Sequence, residues 1–289
     1  MRVRLLAVPY DSGLRDARMG RGPGHLLERG LATRLRERGH EIAVETVEVA
    51  DAPGPEIRGA FDVNRRLAVV TREAAESGAL PLVLAGNCGT AAGTVAGLNQ
   101  AGVGVVWLDA HGDFNTPETT VTGFLDGMAL ATVTGRCWTG MASRIPGFHP
   151  IPLEHVVLVG ARDFDPAEQA ALSRSGLGFV PPDAVRARGM AAALEPHLAA
   201  LPARVRRLYV HLDLDVLDPA EARVNQFAAP GGLTVAQVVE AFGVIGRHRP
   251  IAAAALTAYD PAHDPDDRAL NAAFRLLLEL VDRAGDGLA

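Results

Sequence analysis

Several features are scarce or absent in this 289-residue chain, and each absence narrows the possibilities. Only two cysteines occur, Cys88 and Cys137, and they form no CxxC motif. The net charge of −6 and the lack of a basic stripe argue against a nucleic-acid partner. No apolar run reaches membrane-spanning length, and the first apolar run is broken by Pro9 and Asp11, too early for a signal peptide. We therefore expect a cytoplasmic, reducing setting without a membrane partner.

The hydrophobic pattern predicts a layered α/β fold. Short apolar runs without alternation are typical of parallel strands buried on both faces, and amphipathic stretches between them predict covering helices. The absence of a repeat, linker or break in composition predicts one domain over residues 1–289. The predicted strands are Val3–Val8, Leu80–Leu84, Val103–Leu108, Val156–Val159, Leu208–Leu212 and Ile251–Leu256; the predicted helices are Ile57–Ala75, Thr90–Asn99, Pro166–Ser175, Val235–Gly246 and Asp267–Ala284.

Ionisable side chains follow the predicted strand that ends at Leu108. Asp109, His111 and Asp113 alternate in the segment WLDAHGDFN. Alternate residues of an extended chain point the same way, so these side chains are expected to converge. Two carboxylates and an imidazole suit a divalent cation. A solvated loop with a helix cap is the simpler alternative, but it accounts for only one of the three residues.

A second strand end, YVHLDLDVLDP, repeats this alternation. Asp213 and Asp215 are one residue apart, and His211 precedes them on the same face. Two neighbouring carboxylates repel each other, and a dication removes that repulsion. Asp218 precedes a proline and is interpreted as a turn residue.

Two further loops follow predicted strands. Cys88 lies in LVLAGNCGT, and a lone cysteine is more often a small buried hydrophobe than a ligand. Arg162, Asp163 and Asp165 lie in VGARDFDPAEQ. Asp165 either caps the next helix or helps to hold a substrate ammonium group, and the sequence leaves both readings open.

Taken together, these motifs resemble the arginase/agmatinase (ureohydrolase) family. WLDAHGDFNTP is similar to the family pattern DAHxDxNTP, and HLDLDVLDP is similar to SxDxDxxDP with His211 in the first place. GRGPGHLLERGL and YDPAHDPDDRALNAAF resemble an early and a late family segment, so the resemblance spans nearly the whole chain.

The resemblance implies a three-layer α/β/α fold on a mostly parallel sheet and two manganese ions that share a hydroxide. By position, Asp109 and Asp213 would bridge both ions. Asp113 and Cys88 would complete the ligand set of one ion, and His111 and Asp215 would complete that of the other. Because a thiolate is softer than imidazole, Cys88 moves the metal preference towards zinc or iron.

Three positions depart from the family pattern. The family's GGDHS loop reads AGNCG here, so Cys88 replaces a metal-binding histidine. Asp126 replaces a histidine that handles protons. Ala258 replaces a glutamate that would pair with a guanidinium group, a charge-assisted contact worth about 3 kcal/mol. Asp260, two residues later, is a possible substitute; we therefore expect Asp113, Asp126 and Asp260 at the reacting centre.

The expected function is hydrolysis of a linear C–N bond in a small amidine or guanidine substrate. N-hydroxyarginine is favoured over arginine, because of Cys88, Asp126 and Ala258 and because DFNTPETT resembles that subgroup. Asn115 and Thr122 match positions that bind the substrate carboxylate, and Asp165 matches one near its amino group. The alternatives are arginase, agmatinase or formimidoylglutamase activity, and a metal-binding member without catalysis. Homo-oligomers are expected from the family.

Overall fold

The computed structural model describes residues 1–50, 55–98 and 101–286. In this part of the chain, parallel strands form an eight-stranded sheet in the order β4-β1-β5-β10-β9-β6-β7-β8, and β2 and β3 form a small antiparallel hairpin. The strands are β1 (Arg2–Val8), β2 (Tyr10–Asp11), β3 (Leu14–Arg15), β4 (Glu41–Thr46), β5 (Leu80–Ala85), β6 (Val103–Leu108), β7 (Val156–Val159), β8 (Gly178–Val180), β9 (Arg207–Asp213) and β10 (Ile251–Thr257).

Helices cover both faces of the sheet and enclose two hydrophobic cores. They are α1 (Gly22–Glu28), α2 (Leu31–Glu37), α3 (Glu56–Glu76), α4 (Ala91–Gly97), α5 (Ala129–Val133), α6 (Thr139–Ala142), α7 (Pro166–Ser173), α8 (Pro182–Arg188), α9 (Met190–Ala199), α10 (Val235–His248) and α11 (Arg268–Asp286). Helices α1, α2 and α8 to α11 contribute to one core, and α3 to α6 contribute to the other.

The strand sequences explain why the sheet lies in the middle. Every residue of β5, β6 and β7 is buried, as expected for a strand with a helical layer on each face. Between β6 and β9 the register pairs Trp107 with His211 and Leu108 with Leu212. The two strands therefore end side by side, and the residues after them face the same edge of the sheet.

The predicted fold class, a three-layer α/β/α arrangement on a parallel sheet, is confirmed. The six predicted strands and five predicted helices are all present, with small differences at their ends. The helix predicted to reach Asn99 ends at Gly97, and Asn99 lies outside the described residues. Across the described ranges, no helix is long and apolar enough to cross a membrane.

The loop after β5 is packed against the loop after β1. A side chain at Gly86 would overlap the Tyr10 carbonyl and the backbone of Gly20, so only glycine permits this close approach. The approach holds the segment containing Asn87 and Cys88 over the carboxyl end of the sheet.

Candidate metal centre

A cleft of about 700 Å³, including its open mouth, lies at the carboxyl ends of the central strands. Ligand sites of open parallel α/β sheets occur at this edge, because the loops after the strands meet there. The cleft combines acidic side chains with aromatic and small ones. Its lining includes Met19, His111, Asp113, Asn115, Phe124, Asp126, Asp163, Asp165, Glu168, Asp213, Asp215, Asn225, Phe227 and Ala258.

One group of potential metal ligands joins the ends of β6 and β9. A ligand atom from each of Asp109, His111 and Asp215 lies within 4.8 Å of the other two. His111 Nδ1 is 3.3 Å from Asp109 Oδ1 and 3.4 Å from Asp215 Oδ2. The structure thus brings Asp109 and His111 together with Asp215, whereas the alternating pattern predicted Asp113 as the third member.

A second group of potential ligands lies deeper in the sheet. Ligand atoms of Cys88, Asp109 and His211 also lie within 4.8 Å of one another. The Cys88 thiol donates to Asp213 Oδ2 at 3.0 Å and lies 4.0 Å from Asp109 Oδ2. Asp109 thus belongs to both groups, and Asp213 contacts the second.

The backbone fixes the orientation of these carboxylates. Asp109 Oδ1 accepts from the His111 amide at 2.7 Å, and Asp213 Oδ1 accepts from the Asp215 amide at 2.8 Å. Asp215 Oδ1 accepts from the Ala110 amide at 3.2 Å, which ties the two loops together. The other oxygen of each carboxylate faces a side chain: Asp109 Oδ2 accepts from Trp107 Nε1, Asp213 Oδ2 from the Cys88 thiol, and Asp215 Oδ2 lies 3.4 Å from His111 Nδ1.

The electrostatics of the cluster favour a bound cation. Burial, and then the neighbouring carboxylates, raise the pKa of Asp109, Asp113 and Asp213 above the ordinary range. Burial opposes ionisation of Asp215 as well, but the His111 imidazolium lowers its pKa. Ionising Asp109, Asp113 and Asp213 together therefore costs free energy, and a bound cation would offset that cost.

An unsatisfied oxygen points to the same conclusion. Asp113 Oδ2 is buried and has no hydrogen-bond partner among the described residues. A buried, unpaired carboxylate oxygen is costly unless a cation or another donor reaches it. Carboxylate, imidazole and thiolate donors fit divalent transition metals, so the residues present suit a metal centre.

Protonation states also distinguish Cys88 and His211 from the other donors. Burial, and then Asp213, raise the pKa of the Cys88 thiol well above its ordinary range, so it stays protonated without a metal. Burial lowers the pKa of His211 to about 3, so its imidazole is neutral at physiological pH.

The cleft is also lined by Asn115, Asp165 and Glu168. Asn115 Nδ2 donates to Asp165 Oδ2 at 3.0 Å. Asp165 also begins α7 as part of a capping box with Glu168, so it caps the helix and lines the cleft at the same time. Burial raises the pKa of Glu168 to about 7, although its carboxylate accepts from the Phe114 and Asp165 amides.

Asp126 lines the cleft and is held by the loop after β5. Its two oxygens accept from the Gly89 amide at 2.8 Å and from Asn87 Nδ2 at 2.9 Å. Burial raises the pKa of Asp126 to about 7, against the effect of these hydrogen bonds. The carboxyl group is therefore fixed in place beside the cluster.

Thr122 and Asp260, two of the expected site residues, belong neither to the cleft lining nor to the two groups of ligand atoms. Thr122 is on an exposed loop, where its hydroxyl accepts from the Phe124 amide. Asp260 accepts from Arg21 at 3.1 Å and from the Ala262 amide at 3.0 Å, and it lines a neighbouring hollow instead. Asp260 is thus committed to an ion pair and a turn, and the expectation that it replaces the missing glutamate has to be corrected.

Asp113 is a partial exception to the predicted alternation. It lines the cleft, but it belongs to neither group of ligand atoms within 4.8 Å. Its backbone is left-handed, with a φ of 48°. The chain after β6 is therefore not extended as far as Asp113, and the alternation of side chains ends before it.

Other cleft residues were not singled out from the sequence. Glu168 was detectable, because a glutamate three residues after an N-cap aspartate is a capping-box pattern. Asn225, whose amide donates to the Ala258 carbonyl at 2.9 Å, had no such local signal. Nor did the stacked rings of Phe124 and Phe227, 5.1 Å apart, because they come from loops distant in the chain.

The parallel sheet and the carboxylate-rich cleft together define an α/β metallohydrolase type of site. The family model described as "Arginase family" matches residues 1–282. The chain is 30% identical to an arginase of Bacillus caldovelox over 288 residues, which cover 95% of this chain and 96% of that protein.

Solved structures agree with this result. The crystal structure of arginase from Bacillus cereus superposes with a TM-score of 0.88 at 27% identity, covering 97% of this chain and 98% of that one. An arginase structure from Bacillus subtilis superposes with a TM-score of 0.89 at 27% identity, with the same coverage of both chains.

The chain belongs to the arginase family. It is a hydrolase of C–N bonds in linear guanidino or amidino compounds, as the members of this family are. The family uses a binuclear metal cluster, usually of manganese. These relatives carry the name arginase, and none of them supports a preference for N-hydroxyarginine.

Proposed function

We propose that this protein hydrolyses the guanidino group of an arginine-like α-amino acid with the help of two divalent cations. The observation that carries the proposal is one cleft lined both by residues of the metal-ligand cluster and by Asn115, Asp165 and Glu168. Such a cleft offers partners to the guanidino group and to the α-amino acid part of one substrate.

Six residues would hold the cations. Asp109 and Asp213 would be shared by both, Cys88 and Asp113 would complete one position, and His111 and Asp215 the other. A pair of dications, when bound, lowers the pKa of water towards neutrality and so supplies hydroxide for attack on the guanidine carbon.

The chain's own residues would orient the substrate and handle protons. Asp165 and Glu168 would receive the α-ammonium group, and the Asn115 amide would face the carboxylate. We assign proton handling to Asp126, because it lines the cleft while Gly89 and Asn87 hold its carboxyl group. It would deliver a proton to the leaving amine nitrogen.

Arginine is the first candidate substrate, because the relatives aligned along the whole chain are called arginases. One observation favours N-hydroxyarginine as a second candidate. Ala258 is buried in the cleft lining, where it offers no carboxylate to a guanidinium group, and Asp260 is paired with Arg21. N-hydroxylation makes a guanidine less basic, so that substrate depends less on a counter-ion.

The test is a paired measurement of arginine and N-hydroxyarginine hydrolysis with manganese, following ornithine release. We expect Ala258→Glu to raise kcat/KM for arginine relative to N-hydroxyarginine by roughly 10- to 100-fold, the value of a charge-assisted pair of about 1.5–3 kcal/mol. Ala258→Gln has nearly the same size without the charge and is the matched control.

If the ratio of kcat/KM for arginine to kcat/KM for N-hydroxyarginine is the same in the wild type and in both variants, the role given to position 258 is refuted. If neither substrate nor agmatine nor formimidoylglutamate is hydrolysed while two ions are bound, the hydrolase proposal fails for these substrates. A metal-binding member without catalysis would then be the better description.

A further inference from the structure

His211 is a buried histidine that the six proposed ligands leave out. It lies on β9 two residues before Asp213, so both side chains face the same side of the sheet. Its exposed fraction is 0%. A buried imidazole in a carboxylate-rich region needs defined partners, and those partners show which ring nitrogen faces the metal ligands.

Thr257 lies between His211 and Cys88. As the last residue of β10, which separates β5 from β9 in the sheet, it places its hydroxyl 3.1 Å from Cys88 Sγ and 3.4 Å from His211 Nε2. The Nε2 atom of His211 therefore faces the cysteine sulfur.

A hydrogen bond occupies the other ring nitrogen. The Tyr209 hydroxyl oxygen lies 2.7 Å from His211 Nδ1. Nε2 is therefore the ring nitrogen left to face Cys88, and with Nδ1–H donating to Tyr209 its lone pair would be available to a cation.

The ring is also held in a fixed orientation. Trp107 stacks on His211 with the ring centroids 3.7 Å apart, and its indole nitrogen donates to Asp109 Oδ2 at 2.9 Å. Metal-binding histidines are usually oriented by a hydrogen bond at the ring nitrogen that does not bind the metal. Tyr209 makes that bond here.

We propose that His211 Nε2 is an additional ligand of the cation held by Cys88 and Asp109. The three donor atoms lie within 4.8 Å of one another and are almost completely buried. Sulfur, nitrogen and oxygen donors together favour zinc over manganese. One cation position is thus zinc-selective, while the position at Asp109, His111 and Asp215 lacks a sulfur ligand.

This inference rests on the metal-binding part of the proposed function and not on the substrate. X-ray absorption at the zinc edge tests it directly, in a His111→Gln variant loaded with one zinc ion per chain. The substitution removes the other imidazole of the cluster. We expect one sulfur at about 2.3 Å and one imidazole on the same zinc. Sulfur without imidazole, or imidazole without sulfur, would overturn the proposal.

Zinc affinity provides a second test. His211→Asn should weaken zinc binding by about 100-fold or more, since even residues that only support metal ligands contribute about 10- to 100-fold. His155→Asn is the matched control, because His155 is buried outside the cleft and contacts Arg204. Wild-type zinc affinity in a folded His211→Asn protein would contradict the inference.

The two tests are complementary, because each one still gives a result if the other fails. If His211→Asn does not fold, the absorption experiment still decides, because it keeps His211. If the zinc absorption spectrum shows no imidazole while substrate hydrolysis is retained, the ligand role of His211 is refuted and the proposed function is not. Conversely, a sulfur–imidazole zinc site without turnover would support His211 while the proposed function fails.

Discussion

Glu168 allows a quantitative prediction about the metal-free chain. Burial raises its pKa from about 4.5 to about 7. At about 1.4 kcal/mol for each pKa unit, the ionised side chain costs the folded state about 3 kcal/mol. Only 4% of Glu168 is exposed, so solvent screens this cost little.

The sign of the pH dependence follows from the direction of the shift. Below about pH 4.5, Glu168 is protonated in both the folded and the unfolded chain and contributes no penalty. As the pH rises towards and past 7, the unfolded chain releases this proton more readily than the folded chain. The free energy of unfolding should therefore fall by about 3 kcal/mol across this window because of Glu168.

The perturbation is Glu168→Gln, which keeps the shape and cannot ionise. The variant loses one acceptor for the Phe114 and Asp165 amides, and this cost does not depend on pH. Urea unfolding followed by circular dichroism, with chelator present and at pH values from 4.5 to 8, measures the difference between variant and wild type. That difference should move by about 3 kcal/mol in favour of the variant as the pH rises.

A matched control separates this effect from general titration. Glu195→Gln changes an exposed glutamate paired with Arg247, and it measures what a glutamate-to-glutamine exchange does outside the cleft. The effect of burial at Glu168 is the pH-dependent difference that exceeds the one found for Glu195→Gln. If the free energies of unfolding of the wild type and of Glu168→Gln run parallel between pH 4.5 and 8, the reasoning is refuted.

Three further variants test the proposed metal cluster and its support. Asp109→Ala or Asp213→Ala removes a shared carboxylate, so metal analysis after loading with manganese should find fewer than one ion per folded chain; two ions with wild-type turnover would disprove the shared role. Arg162→Lys removes a guanidinium that donates to carbonyls in three loops. Because buried acceptors then lose their donors, we expect the free energy of unfolding, measured by urea titration, to fall by about 2–4 kcal/mol. An unchanged urea midpoint would contradict this role of Arg162.

The sequence was informative wherever local patterns and burial agree. The strands β5, β6, β7, β9 and β10 were predictable because uninterrupted apolar runs are buried on both faces. The edge strands β4 and β8 were not, since β4 is largely exposed and β8 has only three residues. Edge strands carry a weak hydrophobic pattern because only part of their surface is covered.

The same distinction applies to the cleft. Asp109, His111, Asp213 and Asp215 come from short segments that leave neighbouring strands, so local spacing already predicted their meeting. Thr122 and Asp260 both lie in loops outside the cleft, and the position of Asp260 is set by Arg21, which lies far away in the sequence. No local pattern contains that information.

Arg162 has a consequence for how the cleft opens. Its guanidinium binds carbonyls of Gly160, of residues 215–217 and of residues 229–230. If one of these loops moves away, the guanidinium N–H groups that donated to it lose their acceptors, and the other loops cannot replace them. We therefore expect the loops to open as one unit of local unfolding, with their amide protons exchanging with solvent in a shared event. Asp215 belongs to that unit, so opening this wall of the cleft would also displace one of the proposed metal ligands.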